Sequence, residues 1–353
     1  MKKYRIALCL LLVLFITACG NTTQSNQNAA GGNSSDSPEQ EEYVLKLAHG
    51  YPTTSFMHTF MEWFNEELQQ RSEGRLSIDI YPSGQLMPVD QEMPAILQGQ
   101  IDMSHSSSPV LTSFDPIWNF YELPFIFDYD PKDPAVFLEN RMAFSKSENG
   151  GQIISQMMEE KGLKILSFGF VDMFGSVYTT DLDNLVTGPE SANGLKLRTP
   201  GGMIGPETAQ AIGASSVTIA GAEVITALQQ KTVDGLLTTP IYASQAKLPV
   251  KSFSVVPLFN SVTPLVMSLN KFESLPADLQ EILVQTGEDL EKHIMESVLE
   301  EAQTAYTNLE SQGVKIYYPT KDEIAEWEEA TKPVREVFVN QVEGGAELLE
   351  ALE

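Results

Sequence analysis

Residues Gly194–Pro240 read GLKLRTPGGMIGPETAQAIGASSVTIAGAEVITALQQKTVDGLLTTP, and the order of elements they encode decides the fold class. Leu195-Lys196-Leu197-Arg198 alternates as a strand does, and Thr199-Pro200-Gly201-Gly202 breaks it. A short helix is expected from Gly205-Pro206 to Gly213, with proline in the first turn and glycine past the end. Ser215–Ile219 reads as a second strand, followed by a helix with Val224, Ile225, Ala227 and Leu228 on one face. Strand, helix, strand, helix predicts an α/β chain with parallel, buried sheet. Arg198 then stands at the carboxyl end of a strand, where the ligand crevice of an open α/β sheet lies. A guanidinium fork fixed beside a glycine turn suits a planar carboxylate, gripped by two parallel bonds. The competing reading is a surface arginine that merely ends a strand.

Working outward, the pattern recurs. Glu92–Ser104 (EMPAILQGQIDMS) and Glu223–Gly235 (EVITALQQKTVDG) each carry a helix ending in Leu-Gln and, after a one-residue difference in length, an Ile/Val-Asp step into a new strand. Small hydroxyl residues follow both: Ser104, Ser106, Ser107 and Ser108 in one, Thr238 and Thr239 in the other. Two such units predict two similar lobes whose strand ends face each other across a groove. Tyr43–His49 and Leu76–Tyr81 read as strands flanking a helix from Phe56 to Gln70, and His49 and Tyr51 are candidates to point into the groove. Leu163–Phe170 reads as a strand crossing toward the second lobe. A helical pattern runs from Asp278 to about Gln312, then a strand at Val314–Tyr318 and terminal helices with an acidic face.

GLKLRTPGG with EVITALQQKTVDG resembles the signature of the solute-binding proteins of TRAP transporters, tripartite ATP-independent uptake systems for organic acids. YPSGQL (81–86), ILQGQIDMS (96–104), ELPFIF (122–127) and SLPADLQEIL (274–283) resemble further motifs of that family, in its order and over nearly all of the chain after residue 43. The resemblance implies a two-lobed, periplasmic-binding-protein-like α/β fold with hinged lobes and a long helix crossing both. It implies lobe I from 43–170 with about 262–298, and lobe II from 171–261 with about 299–353. It also implies a TRAP membrane permease as partner, an organic-acid ligand, an extracytoplasmic location and no cofactor.

The sequence departs from the family in three places. Where binders of carboxylated sugars or dicarboxylates commonly carry another arginine, Phe174-Gly175-Ser176 stands, with Gly175 in its place. Thr238 or Thr239 replaces the usual asparagine, and Gly221-Ala222 an aromatic. One arginine leads us to expect one carboxylate, a monocarboxylate. The candidate ligand-binding set is Arg198, Gly201, Ser106, Ser107, Ser108, Thr238, Thr239, Phe174, Gly175, His49 and Tyr51. Trp118 and Tyr121, from an aromatic-rich run otherwise read as core, are added as pocket walls.

At the amino end, Lys2, Lys3 and Arg5 precede an apolar run, Ile6–Ile16, too short to span a bilayer comfortably. Ile16-Thr17-Ala18-Cys19 resembles a lipobox, so residues 1–18 are expected to be a lipoprotein signal peptide and Cys19 the lipidated residue that holds the protein to membrane lipid. Residues 19–42 then form a polar tether, whose 23 residues after the cysteine would reach about 25–29 Å. The only other cysteine, Cys9, lies in the leader, so the mature chain is expected to hold neither disulfide nor thiol chemistry.

The net charge is −26, and loss of Lys2, Lys3 and Arg5 with the leader deepens it by three. Such a balance argues against nucleic acid as a partner and repels anions at long range, so an acidic ligand needs a local cation. No nucleophile elbow, no phosphate-binding loop and no metal-ligand spacing among His49, His58, His105 and His293 is present. A binding protein therefore outranks an enzyme. The alternatives are a ligand sensor for a membrane receptor and an extracellular enzyme on a binding-protein scaffold.

Overall fold

The computed structural model describes residues 41–352. The expected leader, Cys19 and the tether as far as Gln40 lie outside the described residues. Eleven strands are present among the described residues: β1 (Tyr43–Ala48), β2 (Leu76–Tyr81), β3 (Met103–His105), β4 (Leu163–Ser167), β5 (Ser176–Thr179), β6 (Lys196–Thr199), β7 (Ser215–Thr218), β8 (Gly235–Thr238), β9 (Ser252–Ser254), β10 (Leu265–Ser268) and β11 (Lys315–Tyr317). They form two sheets, in the orders β2-β1-β3-β10-β4 and β11-β9-β5-β8-β6-β7, each the centre of one lobe of a mixed α/β fold.

The parallel arrangement expected around Arg198 is present, since β6 runs parallel to both β7 and β8. It does not extend through the sheets. β10 is antiparallel to β3 and β4, and β5 is antiparallel to β8 and β9. The reason lies in how the chain crosses. β10 arrives from the other lobe and starts where β3 ends, pairing Leu265 with His105. β5 likewise starts where β8 ends, pairing Ser176 with Thr238. A strand that enters at the crevice must run away from it, whereas the resident strands run toward it. The crossovers 168–175 and 255–264 thus join the two sheets at the carboxyl ends of β3 and β8.

The sequence echo is an echo in structure. Asp102, just before β3, accepts the Lys46 N–H at 2.8 Å and donates its own N–H to the Lys46 carbonyl. Asp234, just before β8, does the same with Lys196 of β6. In each lobe one aspartate fixes the register of a parallel pair, so the following strand ends at a defined height. Of the face expected in helix Val224–Gln229, Val224, Ala227 and Leu228 are buried, but Ile225 is 38% exposed. With only six residues the helix presents a narrower stripe than the pattern suggested.

Helix Ala277–Ser311 has 35 residues, about 52 Å at 1.5 Å per residue. It packs on helix Phe56–Arg71 and β4 of one lobe and on helix Pro240–Gln245 of the other. Leu279, Leu283, Leu290, Ile294, Val298, Ala302 and Leu309 make its buried stripe, and His293 stacks on Trp63 at 4.5 Å. Gly287 permits the closest approach: a Cβ there would stand 2.2 Å from the Leu166 carbonyl oxygen. Gly287→Ala should therefore lose stability despite alanine's better helix propensity. Overpacking by about 1–3 kcal/mol exceeds the roughly 1 kcal/mol gained. A urea midpoint equal to or above that of the parent would contradict this.

Candidate functional site

The carboxyl ends of β1, β3, β6 and β8 meet at the seam between the lobes. Arg198, in β6, is 8% exposed. Its Nε donates to the Ile219 carbonyl at 2.9 Å, which aims the guanidinium past the end of β7. Its two terminal nitrogens carry no hydrogen bond or ion pair among the described residues. Burial pushes the guanidinium down to about 10, with the Tyr242 hydroxyl acting in the opposite direction, so the charge persists at neutral pH. A buried cation with an empty fork is poised for a bidentate anion.

The loop after Arg198 reaches the other lobe. Met203 donates its N–H to Asn119 Oδ1 at 3.2 Å, and a Cβ on Gly202 would stand 3.1 Å from Glu122 Oε2. Gly201 lies half-buried beside the Pro109 carbonyl. The serines sit at the facing strand end. Ser106 donates to Glu92 Oε2 at 2.6 Å, Ser107 bonds to Tyr51, and Ser108 meets Ser261 at 3.2 Å. Thr238 ends β8, and Thr239 bonds to Asp172. His49 is fully buried, its Nδ1 accepting from the Tyr51 N–H and its Nε2 meeting His58 Nδ1 at 3.1 Å. Burial, then the neighbouring His58, pulls His49 down to about 4.

Of the four remaining candidates, three pack in the aromatic interior and Gly175 lies on the first crossover beside the end of β8. Trp118 and Tyr121 are 1% and 0% exposed and pack with Phe168, Phe120 and Phe144 in the aromatic core. Phe174 packs edge-on against Tyr129 and Phe137, and it lines a cavity of about 310 Å³ that also touches Tyr306 and Tyr318. Gly175 bridges to Phe259, where a Cβ would come within 2.7 Å of both the Phe259 ring and the Thr238 carbonyl. A side chain there would require both neighbours to shift.

Sequence reasoning missed a second buried arginine. Arg141 is fully buried, donates to the Ser261 and Asp172 carbonyls at 3.1 and 2.9 Å, and lies 4.2 Å from the centroid of Phe170. It ties both crossovers to helix Pro134–Lys146, and burial pushes it down to about 9. The signal was available: Phe137, Leu138, Phe144 and Ser145 are the buried residues of that helix, and Arg141 falls in phase with them. Asp172 was missed as well. Its carboxylate accepts from the Met173 and Ile241 N–H groups, fastening the first crossover to helix Pro240–Gln245. Burial raises it to about 7 against those bonds.

The family description "bacterial extracellular solute-binding protein, family 7" matches residues 47–341. The chain belongs to this family. It is 27% identical over 319 residues to the 2,3-diketo-L-gulonate-binding periplasmic protein YiaO of Escherichia coli K12, covering 87% of this chain and 91% of that protein. It is 27% identical over 330 residues to the C4-dicarboxylate-binding periplasmic protein DctP of Rhodobacter capsulatus, covering 88% and 90%. A TRAP periplasmic solute-binding protein from Ochrobactrum anthropi, whose own C-terminus occupies its ligand-binding pocket, superimposes with a TM-score of 0.78 at 21% identity, over 89% and 96% of the two chains. The two-lobed fold expected from the sequence motifs is thus the fold of family 7. Family 7 proteins are substrate-binding receptors rather than enzymes, and they act outside the cytoplasm. No helix among the described residues is long and apolar enough to cross a membrane.

Proposed function

We propose that this protein captures an organic acid with a single carboxylate in the crevice between its lobes and hands it to a TRAP permease, without transforming it. The observation that carries this reading is the empty, buried fork of Arg198 in a chain of net charge −26. A desolvated cation without a counter-ion is unfavourable in the free protein, and a bound carboxylate relieves it. Thr238, Thr239, Ser107 and the Gly201-Gly202 amides stand near enough to the seam to supply further bonds. Lobes at about 43–170 with 262–298 and 171–261 with 299–353 close on the ligand, because a ligand touching both favours the closed state. Cys19 holds the protein to the membrane by its lipid, through the tether.

The test is a thermal-shift screen of the purified protein against organic acids, neutral solutes and amines. A ligand at one hundred times its Kd stabilises the fold by about 2.7 kcal/mol. Monocarboxylates should raise the melting temperature. A response confined to neutral solutes or amines would remove the role given to Arg198.

A further inference from the structure

The cavity of about 310 Å³ beside Phe174 is lined by none of the residues placed at the Arg198 seam. One wall is the turn Asp130-Pro131-Lys132-Asp133-Pro134. Asp130 holds it in shape: its Oδ1 accepts the Lys132 N–H at 2.8 Å, and its carbonyl accepts the Asp133 N–H at 3.1 Å. Asp133 caps the helix that Pro134 begins, so two aspartates and two prolines fix the turn. The opposing stretch is one face of the long helix, where Ala302, Tyr306 and Glu310 recur at intervals of four. Alanine at 302 leaves room that a larger side chain would fill. Met173 and Phe174 of the first crossover, Val255 of the second and Tyr318 beyond β11 complete the lining.

A mostly apolar, aromatic lining with a few convergent polar groups is the make-up of a ligand pocket. The rings of Phe174, Tyr306 and Tyr318 have negative faces, which attract a cation. Asp130 and Glu310 act in the same sense, and the Glu310 side chain makes no hydrogen bond or ion pair among the described residues. Asp130 is shared with an adjoining cavity of about 690 Å³, where Asp128 and Glu328 extend the acidic surface beside the Tyr129 hydroxyl, buried without a partner. The phenols register this field. Burial, then Glu310, raises Tyr318, while burial, then Glu328 and Asp130, raises Tyr129. Lys132 and Lys321 are the cations of the two linings. Both are exposed and in no ion pair among the described residues, so their ammonium groups can extend into water. An anion here would meet carboxylates, and a neutral solute would gain only the apolar walls.

We propose that this cavity is a second ligand site, taking a small organic ammonium ion with an apolar body, opposite in charge to the acid assigned to the crevice. The rings and the carboxylates of Asp130 and Glu310 hold the charge, and Met173, Val255 and Ala302 cover the body. The assignment is independent of Arg198 and stands whatever class of ligand the crevice takes.

The experiment is calorimetry with benzylammonium, benzyl alcohol and benzoate, which share a body and differ in charge. In the parent protein benzylammonium should bind at least tenfold more tightly than benzyl alcohol, and Arg198→Ala should leave that binding unchanged. Asp130→Asn combined with Glu310→Gln should bring benzylammonium down to the affinity of the alcohol, which itself should not change. Both positions are exposed, and asparagine keeps an acceptor for the Lys132 N–H, so the fold should survive. Thr307→Trp, at an exposed residue of the lining, should block the cavity, whereas Thr304→Trp, exposed on the same helix but outside the lining, should not. Benzoate bound in Arg198→Ala but lost in Thr307→Trp would place an anion in the cavity and overturn the proposal. It is overturned equally if benzyl alcohol matches benzylammonium in the parent, or if benzylammonium is indifferent to the double substitution or to Thr307→Trp. Absence of any benzylammonium binding to the parent also overturns it.

Discussion

Arg198→Ala is expected to weaken binding of the acid ligand by about 2–5 kcal/mol, roughly thirty- to several-thousand-fold in Kd. The range follows from burial. The guanidinium is 8% exposed and gives one hydrogen bond, to the Ile219 carbonyl, so most of its donor capacity is free for the ligand. The free protein should respond in the opposite sense. A desolvated cation without a counter-ion detracts from stability, and Arg198→Met, which keeps the bulk, should leave the unliganded melting temperature unchanged or higher while the ligand-induced shift vanishes. Functional sites commonly show this opposition between stability and binding. An unchanged Kd for the ligand in Arg198→Ala would remove the basis of the proposed function, and a sharp fall in unliganded stability would make the residue structural.

Arg141→Met is expected to do the reverse, lowering stability by about 2–5 kcal/mol in urea unfolding. Substitution leaves the Ser261 and Asp172 carbonyls buried without donors, each worth about 1–3 kcal/mol. It also removes the cation over Phe170 and the charge that helps hold the Asp172 and Glu291 carboxyls down. Because the two carbonyls belong to the two crossovers, the loss falls where the lobes join. Arg141 gives two bonds to carbonyls and Arg198 one, which is why two buried arginines are assigned opposite duties. A midpoint within about 0.5 kcal/mol of the parent, the scatter of a neutral surface change, would refute the assignment for Arg141.

Much of this architecture is legible in the chain. The sequence pattern delimits β2 residue for residue and the long helix to within one residue at each end, and the repeated Ile/Val-Asp step marks a register device present in both lobes. These succeed because period, breakers and repeats are local. What escapes is non-local. β5 and β10 have four residues each and are almost wholly buried, so nothing in their alternation reveals direction; only the crossovers do. The histidine cluster joins the ends of two strands to a helix start, and spacing judged for metal ligation conceals the hydrogen bond between His49 and His58. Arg141 is hidden by the habit of reading cations as solvent-facing, although its helical phase places it inside.

The packing at Gly175 carries a consequence for how uptake specificity changes over generations. A second guanidinium could enter this groove from residue 175 only by displacing the Phe259 ring, and that is not sufficient. The Thr238 carbonyl presses on the same point, and no codon change deletes a main-chain oxygen. A lineage carrying this backbone cannot place an arginine at that position in a single step, because the side chain would have to await a rearrangement of the crossover itself.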